Sequence, residues 1–507
     1  MASYLNKFSI LLLLGLYIPI LFLGIFDLDE GAFASSSLQM LRDNQYLIPY
    51  LGDDLRLEKP IFTYWVQAFS MTLFGATEFA LRIPSIIASL IWGISFASFV
   101  RKHDNKISKT SIFLNLLTLP GVFIISFAAT ADAFLNLFIT LALINLFDYS
   151  QKPSNRNILK VSFYIALGFL TKGLTIIAIC GPIIFLFLLT QSKLKVFFKM
   201  LLNWRPWILF LVLVAPWLYL VSQQIEEVDL SYLFLGQTFG RFTQTFENHT
   251  GPFYYYLLVL PILILPYLFD FLRGVRNLQI RANQLDSFML IWFLFVLIFF
   301  SFSSTKLPHY VLYGISPVAY VVTKQHLRDR NISVSLSFWL FSIIIWVLLA
   351  VLPQILSYLN EVKINYEVSD IVLHDFSSDV VFVSVCFVMA LFSSYYFFTK
   401  KSSNNLKRAT AIAMVGLISI KILPYVHDAS QGDIKKLGLQ AREFEEPISM
   451  YKLNKPSFSF YAQKNSLRGL ESSELIFTRT DKIKYLELEY EVISTSGNYM
   501  ILRLKND

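Results

Sequence analysis

Apolar runs of about 20 residues, the length of a bilayer crossing, recur along most of the chain. They begin around Phe8, Gly75, Ser111, Ala131, Val161, Thr175, Trp207, Phe253, Ser287, Tyr310, Val334, Val380 and Ala409. The pattern predicts about thirteen membrane-spanning helices, the shortest flanking Lys172. The polar connectors between them alternate in charge. One set is basic: Arg101 to Lys109, Lys152 to Lys160, Lys193 to Arg205, Arg273 to Arg281, Lys324 to Arg330 and Lys400 to Arg408. The other is acidic or mixed: Asp27 to Lys59, Glu226 to His249, Ser303 to His309 and Tyr358 to Asp379. Lys/Arg bias places the first set in the cytoplasm. The N-terminus is then inside and, after an odd number of spans, the C-terminus outside.

Two stretches depart from the span-and-connector pattern. The first is the long exterior loop 27–74. Within it Phe33, Ser37, Leu38 and Leu41 recur at helical spacing, which predicts an amphipathic helix on the membrane surface, opened by Asp29. The second begins at His427, where charges become frequent and apolar runs short. Asp433 to Phe444 reads as a helix. Tyr490–Ile493 and Tyr499–Leu504 read as a strand pair around Ser494–Asn498. The chain therefore divides into a transmembrane part, 1–426, and a small exterior α+β domain, 427–507.

Composition agrees. Of 507 residues 55% are hydrophobic and 15% charged, where a soluble domain would carry about 25% charged. The net charge of +8 sits in short connectors, so no nucleic-acid partner is implied. Cys180 and Cys386 lie inside apolar runs and suggest no disulfide. Met1 to Phe26 reads as an uncleaved anchor: its apolar run is too long for a signal peptide, and acids crowd the cleavage position. No nucleotide-binding glycine motif occurs. No His/Cys cluster suggests zinc, and Asp27-Leu-Asp29 is too little for a metal, so neither metal nor other cofactor is expected.

Ionisable groups at membrane level are the candidates for chemistry. Asp29 and Glu30 stand at the exterior end of the first span; such acids often merely cap a helix, but a carboxylate here can also serve as a general base. Glu58-Lys59-Pro60 puts an ammonium at the membrane edge, a snorkelling lysine or a phosphate ligand. Asp132 opens a long apolar helix, and Lys172 precedes a glycine on the same exterior side. Lys306, His309 and Tyr310 share one short exterior turn; Arg241, with His249 in the same loop, adds cations. A basic cluster with a few carboxylates beside hydrocarbon suits a lipid phosphate whose tail stays in the bilayer. A transporter is the competing class, but transporters gather polar groups near the midplane.

These residues resemble those of the membrane-embedded GT-C glycosyltransferases. The branch most like this chain holds 4-amino-4-deoxy-L-arabinose lipid A transferase and the bacterial dolichyl-phosphate-mannose–protein mannosyltransferase-like enzymes. The resemblance runs through Asp29-Glu30, Arg56-Leu-Glu-Lys-Pro60, Tyr64-Trp65, Phe74-Gly75, Arg82, Thr130-Ala-Asp132, Leu170-Thr-Lys-Gly173, Ala215-Pro-Trp217 and Ser304-Thr-Lys-Leu-Pro-His-Tyr310, in that order. It implies an all-α polytopic membrane protein of GT-C fold with exterior juxtamembrane helices and a periplasmic α+β domain. It implies transfer of a sugar, with inversion, from a polyprenyl-phosphate donor to lipid A or another periplasmic glycan or lipid, or else to protein hydroxyls, in the bacterial inner membrane. A monomer among membrane lipids is expected. Asp29 and Asp132 become catalytic candidates, with Glu30 in reserve. Glu58, Lys59, Lys172, Arg241, Lys306, His309 and Tyr310 become candidates for donor phosphate and sugar. The arabinose branch has Asp-Glu-x-Arg-Tyr where this chain has Asp29-Glu30-Gly31-Ala32-Phe33, and Arg56 replaces an aromatic residue. The sugar is therefore left open.

Overall fold

Every one of the expected apolar runs folds as helix in the computed structural model. The structure describes residues 2–226, 231–233, 236, 240, 250–329, 334–361, 375, 378–400, 403–465, 467–469 and 473–505. Among them, 7 helices are long and apolar enough to cross a membrane unaided. Two bent pairs, Lys109–Leu117 with Pro120–Phe127 (76°) and Tyr255–Leu263 with Leu268–Arg276 (113°), are apolar enough together and form either broken spans or re-entrant loops. Phe8–Leu21 and Thr175–Thr190 are shorter apolar helices. The runs from Val161 and Tyr310 lie in Asn155–Lys172 and in a 3-10 turn, Pro308–Gly314, that continues as Ile315–Arg328. Arg241 and His249 lie outside the described residues.

Local chemistry sets where the helices stop. The Thr77 hydroxyl accepts from the Ala80 amide at 3.2 Å and opens Glu78–His103, whose last turn carries Arg101, Lys102 and His103. Cations there suit the negative end of the helix dipole. Gly173, at φ +60, ends Asn155–Lys172 with Lys172 as the last helical residue. Only glycine adopts that backbone at little cost. Lys172 is thereby held at a helix end and not carried into the next span.

The C-terminal part is an α+β unit. Its five-stranded sheet runs Leu467–Arg468, Ile448–Met450, Leu475–Arg479, Tyr499–Leu504, Tyr490–Ser496 in spatial order. The first two pairings are parallel, the last two antiparallel. The strand pair read from the sequence is the Tyr490–Ser496 and Tyr499–Leu504 hairpin, turning at Gly497 with φ +52. Phe458, on the helix Pro456–Ala462, stacks on Phe477 of the sheet at 3.9 Å.

Two local expectations change. The helix expected over Asp433 to Phe444 begins earlier, because the last span does not stop at the membrane. Ser403–Leu417, a π-helical turn Ile418–Ile422 and Leu423–Gln440 form one helical run reaching Glu443. Position 426/427 therefore falls inside a helix, not in a linker. The helix in the first loop, Asp29–Arg42, forms as expected but is not a surface helix: Glu30 to Met40 are buried. Its serine face, which should be wet, is covered. Ser35 Oγ donates to the Pro456 carbonyl at 2.5 Å, and Ser37 Oγ donates to Gln67 Oε1 at 2.8 Å. At either end of the helix Asp27 accepts from the Ser457 amide and hydroxyl, and Arg42 donates to the Gln463 carbonyl. Serines satisfy a protein surface as well as they satisfy water, so sequence pattern alone cannot tell the two apart.

One residue ties these parts together. Arg82, fully buried in Glu78–His103, donates to both carboxylate oxygens of Glu30 at 2.9 Å. Its remaining donors reach the carbonyls of Ile20, Leu23 and Gly24. Glu30 accepts in turn from the amides of Phe26 and Ala129 at 2.9 and 3.0 Å. Removing one partner strands the other charge in a dry site, which costs about 3–5 kcal/mol. Arg82→Ala should therefore lose about that much stability, and Arg82→Lys should recover little, since an ammonium cannot serve five acceptors. Thermal unfolding of the purified variants in detergent checks this; a wild-type midpoint for Arg82→Ala would refute the role.

Candidate functional site

The first loop folds back over the ends of the spans. A tight hairpin, Tyr50–Leu51 against Asp54–Leu55, turns at Gly52 with φ +66 and delivers Arg56 through Pro60 to the rim of the bundle. There a cavity of about 50 Å³ opens. Asp29, Arg56, Glu58 and Lys59 line it from the first loop. Thr130, Asp132 and Lys172 line it from two span ends, and His309 and Tyr310 from the 3-10 turn. Four sequence-distant segments thus bring four cationic or titratable nitrogen groups and three carboxylates around one small space.

The groups are held to different degrees. Asp132 is buried; its Oδ1 accepts from Lys172 Nζ at 2.8 Å and from the Tyr313 hydroxyl at 2.8 Å. Lys172 also donates to the Tyr313 hydroxyl at 2.8 Å, and its ammonium stands over the Tyr310 ring at 5.4 Å. His309 Nε2 is 3.8 Å from the same carboxylate oxygen. Burial pushes the His309 imidazole down to about 4, Asp132 opposing and Lys172 reinforcing the shift. Its ring is therefore neutral at ordinary pH and can hydrogen-bond without adding charge. Arg56 is buried too: Nε donates to the Tyr64 hydroxyl at 2.7 Å, the guanidinium lies 3.3 Å from Glu58 and 5.2 Å above the Phe33 ring. By contrast Asp29 is exposed, and Glu58 and Lys59 are half-buried. Lys59 Nζ donates to the Glu58 carbonyl at 3.0 Å.

Two candidates stand elsewhere. Glu30 is consumed by Arg82 and two amides, with no face left toward the cavity. Lys306 is buried and caps a helix end, donating to the carbonyls of Ser301 and Ser303 at 2.8 and 2.7 Å. A lysine in a Ser-Ser-Thr-Lys turn after a span reads equally as a C-cap, and the structure takes that option. Tyr313 and Arg56 were not singled out as site residues. Tyr313 follows Tyr310 by three positions, and in a 3-10 helix such residues share a face. Arg56 carries no sequence signal beyond its place before Glu-Lys-Pro. Among the described residues no group of three or more metal-ligating side chains comes together.

The unequal anchoring gives a contrast. Lys172→Ala leaves Asp132 buried without its cation and should cost about 3–5 kcal/mol. Lys59→Ala, at the half-buried rim, should change stability by less than about 1 kcal/mol. Paired unfolding curves in the same detergent test this, and equal destabilisation would contradict the assignment.

Residues 58–220 match a family model described as dolichyl-phosphate-mannose-protein mannosyltransferase. The undecaprenyl phosphate-alpha-4-amino-4-deoxy-L-arabinose arabinosyl transferase of Wigglesworthia glossinidia brevipalpis is 28% identical over 63% of this chain and 58% of its own length. A transferase of the same description from Proteus mirabilis is 26% identical over 66% of this chain and 63% of its own. The matched stretch thus spans less than two thirds of either relative. In fold the likeness is complete: ArnT from Cupriavidus metallidurans, solved with undecaprenyl phosphate bound, superposes with a TM-score of 0.84 at 18% identity, over 99% of this chain and 98% of that one. The chain is accordingly a multi-pass membrane protein of GT-C fold, and it resembles the aminoarabinose transferases and the dolichyl-phosphate-mannose–protein mannosyltransferase-like family in sequence.

Proposed function

We propose that this chain is an inverting glycosyltransferase of the bacterial inner membrane. It moves a sugar from a polyprenyl phosphate to lipid A or another periplasmic glycan or lipid. The observation that carries the reading is the cavity at the span ends, lined by Lys59, Lys172, Arg56 and His309 with Asp29 at its rim. A phosphate monoester leaving group needs cations where its charge develops, and a low-dielectric setting strengthens them. Lys59 serves as a point charge on the phosphate. Lys172 is a second such charge, aimed by Asp132 and Tyr313. Asp132 therefore acts by positioning Lys172. Neutral His309, with Tyr310, hydrogen-bonds the donor headgroup. Glu58, oriented by Arg56, faces the sugar.

In the transfer step the acceptor oxygen bonds to the anomeric carbon from the face opposite the phosphate. The bond from that carbon to the phosphate oxygen breaks, and its electron pair departs on polyprenyl phosphate. With a hydroxyl acceptor, Asp29 takes the proton; with a phosphate acceptor, already ionised, Asp29 orients it. We place the N-terminus in the cytoplasm. We place the cavity and residues 427–507 in the periplasm, with 1–426 as the catalytic membrane domain and the protein acting as a monomer.

Reporter fusions check the orientation: residue 450 should report outside, and an inside signal would remove the site from its donor and acceptor. Single-turnover transfer from a purified polyprenyl-phosphate sugar tests the chemistry across pH 5–9. Burial pushes the His309 imidazole down, away from the middle of that window, and loss of the rise in Asp29→Asn assigns it to Asp29. A hydroxyl acceptor predicts a rate that rises with pH, and a loss of about 10²–10⁴-fold with no rise in Asp29→Asn. A phosphate acceptor predicts a smaller loss. Asp29→Asn matching wild type throughout would leave Asp29 as a helix cap only.

A further inference from the structure

The short helix Leu194–Leu201 has two unlike faces, and a cavity opens on each. Phe197, Met200 and Leu201, at i, i+3 and i+4, line an almost wholly apolar cavity of about 200 Å³. Lys195, Phe198, Lys199 and Leu202, at i, i+3, i+4 and i+7, line an open groove of about 860 Å³ that also takes in Arg205. None of the helix is fully buried. Among the described residues no carboxylate lies within ion-pair distance of Lys195, Lys199 or Arg205; Arg205 rests 5.2 Å over the Trp204 ring. Trp204 and Trp207 are 61% and 51% exposed, the amphipathic rings expected at a headgroup boundary.

The place is remote from the candidate site. Asn155–Lys172 touches both, with Lys172 in the site and Ile158, Val161 and Ile165 on the apolar cavity. At 1.5 Å per residue, Ile165 lies about 10 Å and Ile158 about 21 Å along the helix from Lys172. Asn155, which lines the basic groove, lies about 26 Å along the helix, so the groove belongs to the opposite leaflet and the apolar cavity runs from it toward the midplane.

We infer that these two spaces form one binding site for an anionic glycerophospholipid of that leaflet. The phosphate headgroup lies in the basic groove on Lys195, Lys199 and Arg205. An acyl chain passes the end of the short helix and enters the apolar cavity behind it. The charge selects an anionic lipid over a zwitterionic one, and the apolar cavity separates a seated lipid from one merely adjoining the surface. Calling this leaflet the cytoplasmic one rests on the orientation proposed above; the site itself does not.

Gly181 lines the apolar cavity, and a Cβ built on it meets nothing within 4 Å. Gly181→Leu therefore starts its side chain into open space at the cavity wall. The full chain, purified and placed in phosphatidylcholine nanodiscs, is tested with photo-crosslinkable phosphatidylglycerol and phosphatidylcholine by native mass spectrometry. Wild type should retain phosphatidylglycerol at least about tenfold better, with Lys195→Gln and Lys199→Gln each weakening it about fivefold. Gly181→Leu should reduce retention of the chain-bearing lipid, and inorganic phosphate should not displace it. Equal retention of the two lipids, wild-type retention by the surface lysine variants, displacement by inorganic phosphate, or preferential capture of polyprenyl phosphate there would each overturn the inference. Because no sugar donor is used, failure here leaves the transferase reading untouched, and failure of that reading leaves this one.

Discussion

A guanidinium in a membrane protein interior must be fully satisfied or it does not stay there. Arg82 meets that demand with three carbonyls from the end of the first span and the two oxygens of Glu30. The carboxylate, neutralised, gathers the amides of Phe26 and Ala129. Four segments are thereby fixed to one another: the first span's end, the buried helix Asp29–Arg42, the second span and the turn before Asp132. Asp29 is the neighbour of Glu30, and Ala129 is three residues before Asp132. The knot sets the distance across which the cavity opens, without contributing a group to it.

The cavity itself mixes fixed and adaptable charge. Lys172 is held by Asp132 and Tyr313 against two aromatic rings, so its position is set before any ligand arrives. Lys59 has a flexible stem and a rim position, and its ammonium can shift to meet a ligand. A fixed cation favours one geometry, while a mobile one accepts several. The ion pair at Asp132 also tempers the field: a lysine paired with a carboxylate binds an anion less tightly than a bare one.

What the sequence revealed was what is local. Apolar length is written into each run, so the spans from Gly75, Trp207 and Val380 could be placed from hydropathy alone. Turn chemistry at Ser496-Gly497-Asn498 marked the last hairpin for the same reason. Glu-Lys-Pro and Lys-Leu-Pro-His-Tyr were legible because several unusual residues stand together. Partnership was not legible. Glu30 and Asp29 look alike in sequence, yet one is locked to an arginine 52 residues away and the other faces the cavity. Lys306 and Lys172 each follow an apolar helix, yet one caps its own helix and the other meets Asp132. The serine face of Asp29–Arg42 looked wet because its cover, around Pro456, lies 421 residues downstream.

That last distance bears on how the protein is made. The contacts that enclose the first helix come from Pro456, Ser457, Tyr461 and Gln463, more than 400 positions later. At ordinary rates of synthesis, on the order of 5–20 residues per second, these residues emerge tens of seconds after the helix they cover. Through that interval the helix carrying Asp29 is already outside the membrane span and lacks its lid. A chain that stops before Pro456 would keep the Asp132–Lys172 pair but leave the helix carrying Asp29 uncovered. Arrival of Pro456 to Gln463, late in synthesis, is thus what finally encloses the helix that carries Asp29.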